Sequence, residues 1–516
     1  MIDDHNSMRF DSTSSLRALR PFSAIDRRKN SIRSLIDSGF PYSRKLSSHT
    51  SCVNAVAFSR SGRWLASAGD DPFVLLWDFH QEEIEKPTCG FVGHRANVFA
   101  LAFSASDQFV YSGDTDHTIH KYDISRWGEL ADHSGSPVLT LQRHQDSIRA
   151  ISCHPHNDQL FLSAGEDGLV ILHDSRESGT HRAQGCVYGN SEVTSVQYHP
   201  TSPDWFVTGD TRGEVSLRDT RMAFGGSVRV GQGVVQNYVT SLSKPSVSCL
   251  SKPEVGSITF DKTGKTFAVT FLHFLPTIYA LSDPHPVATC SGANLPDGTP
   301  VPEGARTYTN SCTIKHGSFG GPCLDRDEYY CAGSDDFRAY VWKIPEVAAL
   351  KEMREVVTHD DWESRRTSDT IGFTSSPSSD RCIPVELSTP LCRLGGHKSI
   401  VNSTLMHPTM PYLVTAGVER HVILHSPIAD PPTAGSLART AENVRTLPKP
   451  NLEDRILFME SLMSDRRLGE EDDQDDKETI ALFDEILRQE GTTDIFEARQ
   501  WYPSSDEEDN ADALWS

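Results

Sequence analysis

The sequence predicts an all-β protein: a closed propeller of seven four-stranded blades over residues 40–430, with a short N-terminal helix ahead of it and an acidic, largely disordered C-terminal tail behind. Three observations predict it. A histidine, an alternating apolar strand, a Ser/Gly/Asp turn and a short apolar strand ending in an aromatic or His plus Asp recur along the chain. The clearest copies keep one internal length, and an extended stretch ahead of the first copy can pair with the last. Sheets repeated every 40 to 45 residues or so cannot bury their faces alone and gain a core by stacking around an axis.

The elements follow in chain order. Within the extension 1–39, SAIDRRKNSIRSLIDSG (23–39) reads as a helix. Ser23 with Asp26 resembles a capping box, Gly39 is a C-terminal stop, and Ile25, Ile32, Leu35 and Ile36 fall on one face. So short a helix is marginal alone in water and needs a surface, either a partner's groove or its own propeller. FPYSRKLSS (Phe40 to Ser48) is placed to be the outer strand of the seventh blade, which closes the ring and leaves no long exposed edge.

The repeats begin at Ser47, Val92 and Gln142, with 28 residues from His49 to Trp77, 28 from His94 to Tyr122 and 29 from His144 to His173. A fourth clear copy runs from His397 to His425, again 28. Three weaker copies lie between, at Val193–Asp219, Val255–Asp283 and Asn310–Lys343, which makes seven. A leading His and a closing Trp-Asp at this period are the signature of WD repeats. In that pattern His, Ser, Asp and Trp form a hydrogen-bonded chain inside each blade. The matching residues are His49, Ser67, Asp71 and Trp77; His94, Ser112, Asp116 and Tyr122; and His144, Ser163, Asp167 and His173. Buried carboxylates need donors, and the His and the hydroxyl supply them. Trios that recur blade after blade are structural, since a catalytic triad is needed once.

Residues 346–388 interrupt the sixth blade with a Ser/Thr/Asp-rich stretch that reads as a mobile insertion between the third strand and an outer strand at Pro390–Leu394. A smaller excursion, 222–250, separates the fourth and fifth blades. The tail, 431–516, holds one helical island, DKETIALFDEILRQEG (476–491), with Ile480, Phe483, Ile486 and Leu487 on a face. The acidic runs Glu470–Asp476 and Ser504–Asp509 flank it and read as solvated charge.

Net charge is −22, and the tail alone carries 22 acidic against 9 basic residues. That balance argues against non-specific nucleic-acid or anionic-membrane binding. The eleven cysteines show no CxxC pair and no pairing rhythm, which suits a reducing compartment. No apolar signal segment or spanning run is present, so a nuclear or cytoplasmic location is expected. No Gly-rich phosphate loop, metal-ligand cluster or paired-Arg loop of the FRRG type occurs, so no enzyme activity, metal or cofactor is expected.

Four stretches go beyond a generic propeller: NSCTIK (310–315), AGSDDFRAYVWKIP (332–345), GGHKSIVN (395–402) and AGVERHVILHSP (416–427). In this order, over roughly 40–430 and with ALFDEIL (481–487) in the tail, they resemble the WD-repeat substrate receptors of the damaged-DNA-binding-adaptor and cullin-4-associated factor group. The resemblance implies an adaptor-docking Trp-Asp-x-Arg at the end of the third strand in consecutive blades. Here those positions read HDSR (173–176) and RDTR (218–221), so Asp174, Arg176, Asp219 and Arg221 carry over while the Trp does not. A docking helix ahead of the propeller is also implied, which Ile25, Ile32, Leu35 and Ile36 would serve.

The resulting expectation is a substrate-recognition subunit of a cullin-4 RING ubiquitin ligase. It would hold the damaged-DNA-binding adaptor at one end and a target protein, whose identity is open, at the other. The alternative is a scaffold that organises a signalling, chromatin or trafficking complex without a ligase. In propellers the target-facing rim includes the residues three and five past each leading His: Cys52 and Asn54, Asn97 and Phe99, Ser147 and Arg149, Ile400 and Asn402.

Overall fold

The computed structural model describes residues 24–125, 134–176, 185–224, 233–365, 368–447, 473–491, 493–498 and 500–501. Seven sheets are arranged as blades, each an antiparallel run from an inner to an outer strand. Blade 1 is Val53–Phe58, Trp64–Gly69, Phe73–Asp78 and Cys89–Val92, and blades 2 to 5 repeat it, with inner strands Val98–Phe103, Ile148–Cys153, Val193–Tyr198 and Val255–Phe260. Blade 6 is Ser318–Gly320, Tyr329–Gly333, Ala339–Lys343 and Cys392–Leu394. Blade 7 takes Tyr42–Ser47 as its outer strand, paired antiparallel to His421–Ser426, so the two ends of the ring are joined by main-chain hydrogen bonds.

Inner strands from all seven blades line one axial channel of about 340 Å³. Apolar side chains on the blade faces meet at the junctions, giving one core cluster for each neighbouring pair of blades. Tyr111 of blade 2 packs against Phe161 of blade 3, for example, with ring centroids 4.4 Å apart and the planes tilted by 36°. Burying a side chain of this size is worth about 2 to 3 kcal/mol.

Antiparallel pairing puts the turns between first and second and between third and fourth strands at one end of the ring, and the remaining connections at the other. Bonds between successive turns tie the first end together. The backbone N–H of Arg60 donates to Asp107 and that of Ser106 to Asp158, while His199 lies 3.1 Å from the Gly264 carbonyl and His407 2.8 Å from that of Gly62.

The N-terminal helix, Ala24–Asp37, docks at this first end beneath blade 6. Ser23, expected as its cap, lies outside the described residues. Ile36 is fully buried and Ile32 partly, against Leu324, Tyr329 and Cys392. Arg33 forks onto Glu328 at 2.7 Å, and Tyr329 donates to Asp37 at 2.8 Å. The helix therefore uses its own propeller as the surface it needs.

Two expectations change. The 346–388 stretch is not a structureless loop: it holds helices Val347–Met353 and His359–Ser364 and strands that join a separate six-stranded sheet. Trp362 is 1% exposed and donates to Ser243 Oγ at 3.1 Å, while Phe373 packs with Leu242, Ile495 and Phe496. Its apolar partners come from distant parts of the chain, which composition of the stretch alone does not reveal. The excursion at 222–250 in fact supplies the outer strand of blade 4, Val234–Tyr238, and two strands of that extra sheet.

Candidate functional site

Inside the blades the hydrogen-bonded chains can be followed proton by proton. In blade 1, His49 Nδ1 lies 2.8 Å from Asp71, His49 Nε2 lies 2.8 Å from Ser67 Oγ, and Trp77 donates to the same hydroxyl at 3.0 Å. With its proton on Nδ1 the imidazole donates to the carboxylate, and the serine, receiving from Trp77, donates back to the ring. Blade 3 repeats this with His144, Asp167 and Ser163, and His173 stands in for Trp at 2.7 Å from the serine. Blade 7 builds it from His397, Glu419, Thr415 and His425. Burial would raise Glu419, but hydrogen bonds from His397 and His421 outweigh it and hold the carboxylate well below its usual range.

Blade 2 corrects one assignment. His94 pairs at 2.7 Å with Asp114, not with Asp116, which stands out in solvent and receives no bond from that ring. The turn is as long as in blade 1, but the carboxylate is carried by Asp114, the last residue of the second strand, where blade 1 has Gly69, so the spacing from His to the carboxylate is 20 rather than 22. Ser112 closes on His94 Nε2 at 2.5 Å, and Tyr122, fully buried, fills the Trp position by stacking on Phe91.

At the first end, two Asp-Arg corners have the same geometry. Arg176 forks onto Asp174 through Nε at 2.9 Å and a terminal nitrogen at 2.5 Å. Arg221 forks onto Asp219 at 3.0 and 2.6 Å. Both guanidinium groups are about two-thirds exposed, whereas their carboxylates are buried. The Arg221 hydrogen bonds hold the Asp219 carboxyl below its ordinary value. The positions that lack Trp are filled differently: His173 reaches Ser163, and Arg218, mostly buried, donates to Thr208 Oγ1 at 3.0 Å. Of the helix positions, Ile36 and Ile32 are spent on the propeller and Leu35 is partly buried, while Ile25 is 65% exposed.

At the second end the channel opens into a mouth of about 350 Å³, and Cys52, Asn54, Asn97, Phe99, Arg149 and Asn402 all line it. The backbone explains the convergence. Each inner strand except that of blade 6 breaks register one residue after its start, so that Asn54, Phe99, Arg149, Thr194, Gly256 and Asn402 have no partner in the ladder. A bulge re-aims its extra residue. Here all six bulge residues border the mouth.

The mouth is mixed in character. Asn54 donates to Asp70 at 2.6 Å, and burial raises the Asp70 carboxyl against that bond. Arg149 pairs with Glu166 at 2.7 Å and sits over the Phe99 ring at 5.7 Å. Thr313 donates to Asn402 at 2.7 Å, and His316, pushed down to about 4 by burial and then by the Arg149 charge, is neutral. Sequence reasoning missed Asp70, Thr194, Thr313 and His316. It also missed Phe483, which reaches the mouth from the tail helix, Asp473–Glu490. The break after each opening Val or Ile, as in VNAV, VFAL and IRAI, is the sequence signal that could have found the bulges.

Comparison with known proteins agrees with this architecture. The family described as WD domain, G-beta repeat matches residues 40–78, 85–123 and 135–174. Proteins named DDB1- and CUL4-associated factor 5 from Mus musculus and Homo sapiens are 27% identical to the chain over 454 residues. That alignment covers 87% of this chain and 40% and 41% of the two relatives, so the chain spans well under half of their length. Protein ALTERED SEED GERMINATION 2 of Arabidopsis thaliana is 30% identical over 166 residues, 31% of this chain and 22% of that protein. Seven blades closed by the N-terminal strand and the matched repeats make this a WD-repeat β-propeller, similar across most of its length to the DDB1- and CUL4-associated factor 5 proteins.

Proposed function

We propose that the chain is the substrate-recognition subunit of a cullin-4 RING ubiquitin ligase, holding the damaged-DNA-binding adaptor at one end of the ring and a target protein at the other. The observation that carries the reading is the segregation of surfaces. The N-terminal helix and both Asp-Arg corners emerge at the end made by first-to-second and third-to-fourth strand turns. The rim residues Asn54, Asn97, Phe99, Arg149 and Asn402 converge at the opposite end. Such a bridge catalyses nothing itself. It raises the effective concentration of target lysines beside the recruited conjugating enzyme. Among the described residues no helix is long and apolar enough to cross a membrane, and no three His, Cys, Asp or Glu residues are grouped to hold a metal.

A scaffold without a ligase is the second reading, favoured by one observation: each corner arginine is already closed on its own aspartate. The test is an affinity pull-down of the intact chain beside an Arg176→Ala/Arg221→Ala variant, probed for adaptor and cullin-4. Recovery by the intact chain and loss by the folded variant supports the receptor. Recovery by neither overturns it in favour of the scaffold.

A further inference from the structure

The tail helix lies on the mouth end of the ring, over a patch the blades alone would leave bare. Phe483 and Leu487, one turn apart, pack on Cys52, Phe337, Ile400 and Val418, with Val444 and Leu447 beside them. Asp484 is 3% exposed and takes a two-armed salt bridge from Arg445, both arms 2.7 Å. Arg445 is held to the ring by a bond from its Nε to the Lys398 carbonyl at 2.8 Å.

Phe337 points to a purpose for this patch. It sits in the turn between second and third strands of blade 6 at φ 71°, where the matching turns of blades 3 and 4 place Gly168 and Gly213. A bulky side chain in the left-handed region is costly and persists where something else requires it. Here the ring is fully buried, with Arg306 at 4.4 Å and Arg445 at 4.8 Å from its centroid. An aromatic projected from a strained turn between two cations fits a helix that brings apolar residues and a carboxylate together.

We propose that this patch is a receptor for an acidic amphipathic helix, bearing an aromatic, an adjacent Asp and a Leu one turn on, and that the chain's own tail helix occupies it until a target helix of that pattern exchanges with it. The inference rests on the mouth end being the target-receiving end, because Phe483 borders the same cavity as Asn54, Phe99 and Arg149. The tail helix is tethered to the ring through 448–472, so it competes at an effective concentration on the order of millimolar.

The test uses a labelled synthetic peptide of residues 473–491 and fluorescence anisotropy against the full-length chain. A Phe483→Ala/Leu487→Ala chain, whose own helix no longer holds, is expected to bind the peptide about tenfold more tightly than the intact chain. Adding Phe337→Gly, which the turn accepts, is expected to abolish that gain. A peptide carrying Asp484→Arg is expected to lose binding to the released chain and regain it on one that also carries Arg445→Asp. Equal affinity for intact and released chains, or binding unchanged by Phe337→Gly, overturns the proposal. The readout involves no ligase component, so a failed adaptor pull-down overturns the receptor reading and leaves this one to stand or fall on the peptide.

Discussion

Replacing His425 by Trp isolates one consequence of the blade hydrogen-bond chains. His397 Nδ1 donates to Glu419, so its Nε2 must accept the Thr415 proton, and His425 Nε2 then donates to Thr415 at 3.0 Å. That leaves His425 Nδ1 bare, buried and without a hydrogen-bond partner. A second ring proton there would meet no acceptor, and burial, then the nearby His397, push the imidazole down to about 3. Its unfolded value is 6.5, so between those values the unfolded chain binds more protons and stability falls as pH falls. At pH 5 the 1.5 units below the unfolded value amount to about 2 kcal/mol at 1.36 kcal/mol per unit. A Trp at 425 donates to Thr415 as Trp77 does to Ser67 and cannot titrate.

Urea unfolding of both proteins at pH 7.5, 6 and 5 reads the effect as a difference of slopes, which removes any repacking cost common to all pH values. Other groups cancel as well, including Asp210, which burial raises to about 6 and which therefore gains stability on acidification. The wild type is expected to lose about 2 kcal/mol more than the variant between pH 7.5 and 5. Parallel pH profiles would refute the assignment of a bare, neutral His425.

Ser67→Ala leaves His49 Nε2 and Trp77 Nε1 unpaired in a buried site, and is expected to cost about 2 to 4 kcal/mol by chemical denaturation, with loss under 1 kcal/mol counting against the chain drawn here. Trp362→Ala should cost about 3 to 5 kcal/mol and open amides 347–383 to hydrogen exchange; a neutral result would mean the insertion does not fold on the ring. Arg176→Ala/Arg221→Ala removes two solvent-facing guanidinium groups and leaves the buried Asp174 and Asp219 accepting the backbone N–H of residues 176 and 221, so each should cost about 1 kcal/mol or less and loss of adaptor in the pull-down by the folded variant reads as lost contact.

What the sequence revealed followed from its periodicity. The recurring His and the apolar strands gave the blades, the closing strand 40–48 and the internal role of the recurring His/Ser/Asp sets, because stacked blades impose one period on core positions. Asp116 was misassigned because the turn Asp114–Asp116 offers two carboxylates and a fixed spacing of 22 selects the wrong one. The insertion was misread because a segment judged alone shows only its own composition, whereas Trp362 and Phe373 borrow a core from Ser243, Leu242 and Phe496. The rim residues were named from their offsets, but their convergence depends on six bulges, and a bulge is a property of two strands together. The tail helix was visible as an amphipathic island, and its seat was not, since Cys52, Phe337, Ile400 and Val418 meet only when blades 1, 6 and 7 close.

The two ends of the ring should act independently, and this too can be measured. An inner strand such as Val98–Phe103 has six residues and spans about 20 Å, so the corners and the mouth are separated by a packed sheet in every blade. Coupling over such a distance requires an element with two arrangements, and the blade interiors instead hold buried chains whose donors and acceptors interlock, as with His49, Ser67, Asp71 and Trp77. Phe99→Ala/Arg149→Ala should therefore weaken target capture without changing adaptor affinity, Arg176→Ala/Arg221→Ala should do the reverse, and the combined variant should show both losses, additive within about 0.5 kcal/mol. Adaptor affinity measured by calorimetry on all four proteins tests it. A combined loss that departs from the sum by more than about 1 kcal/mol would mean that the ring transmits a change from one end to the other, and would remove the physical basis for treating it as a rigid bridge.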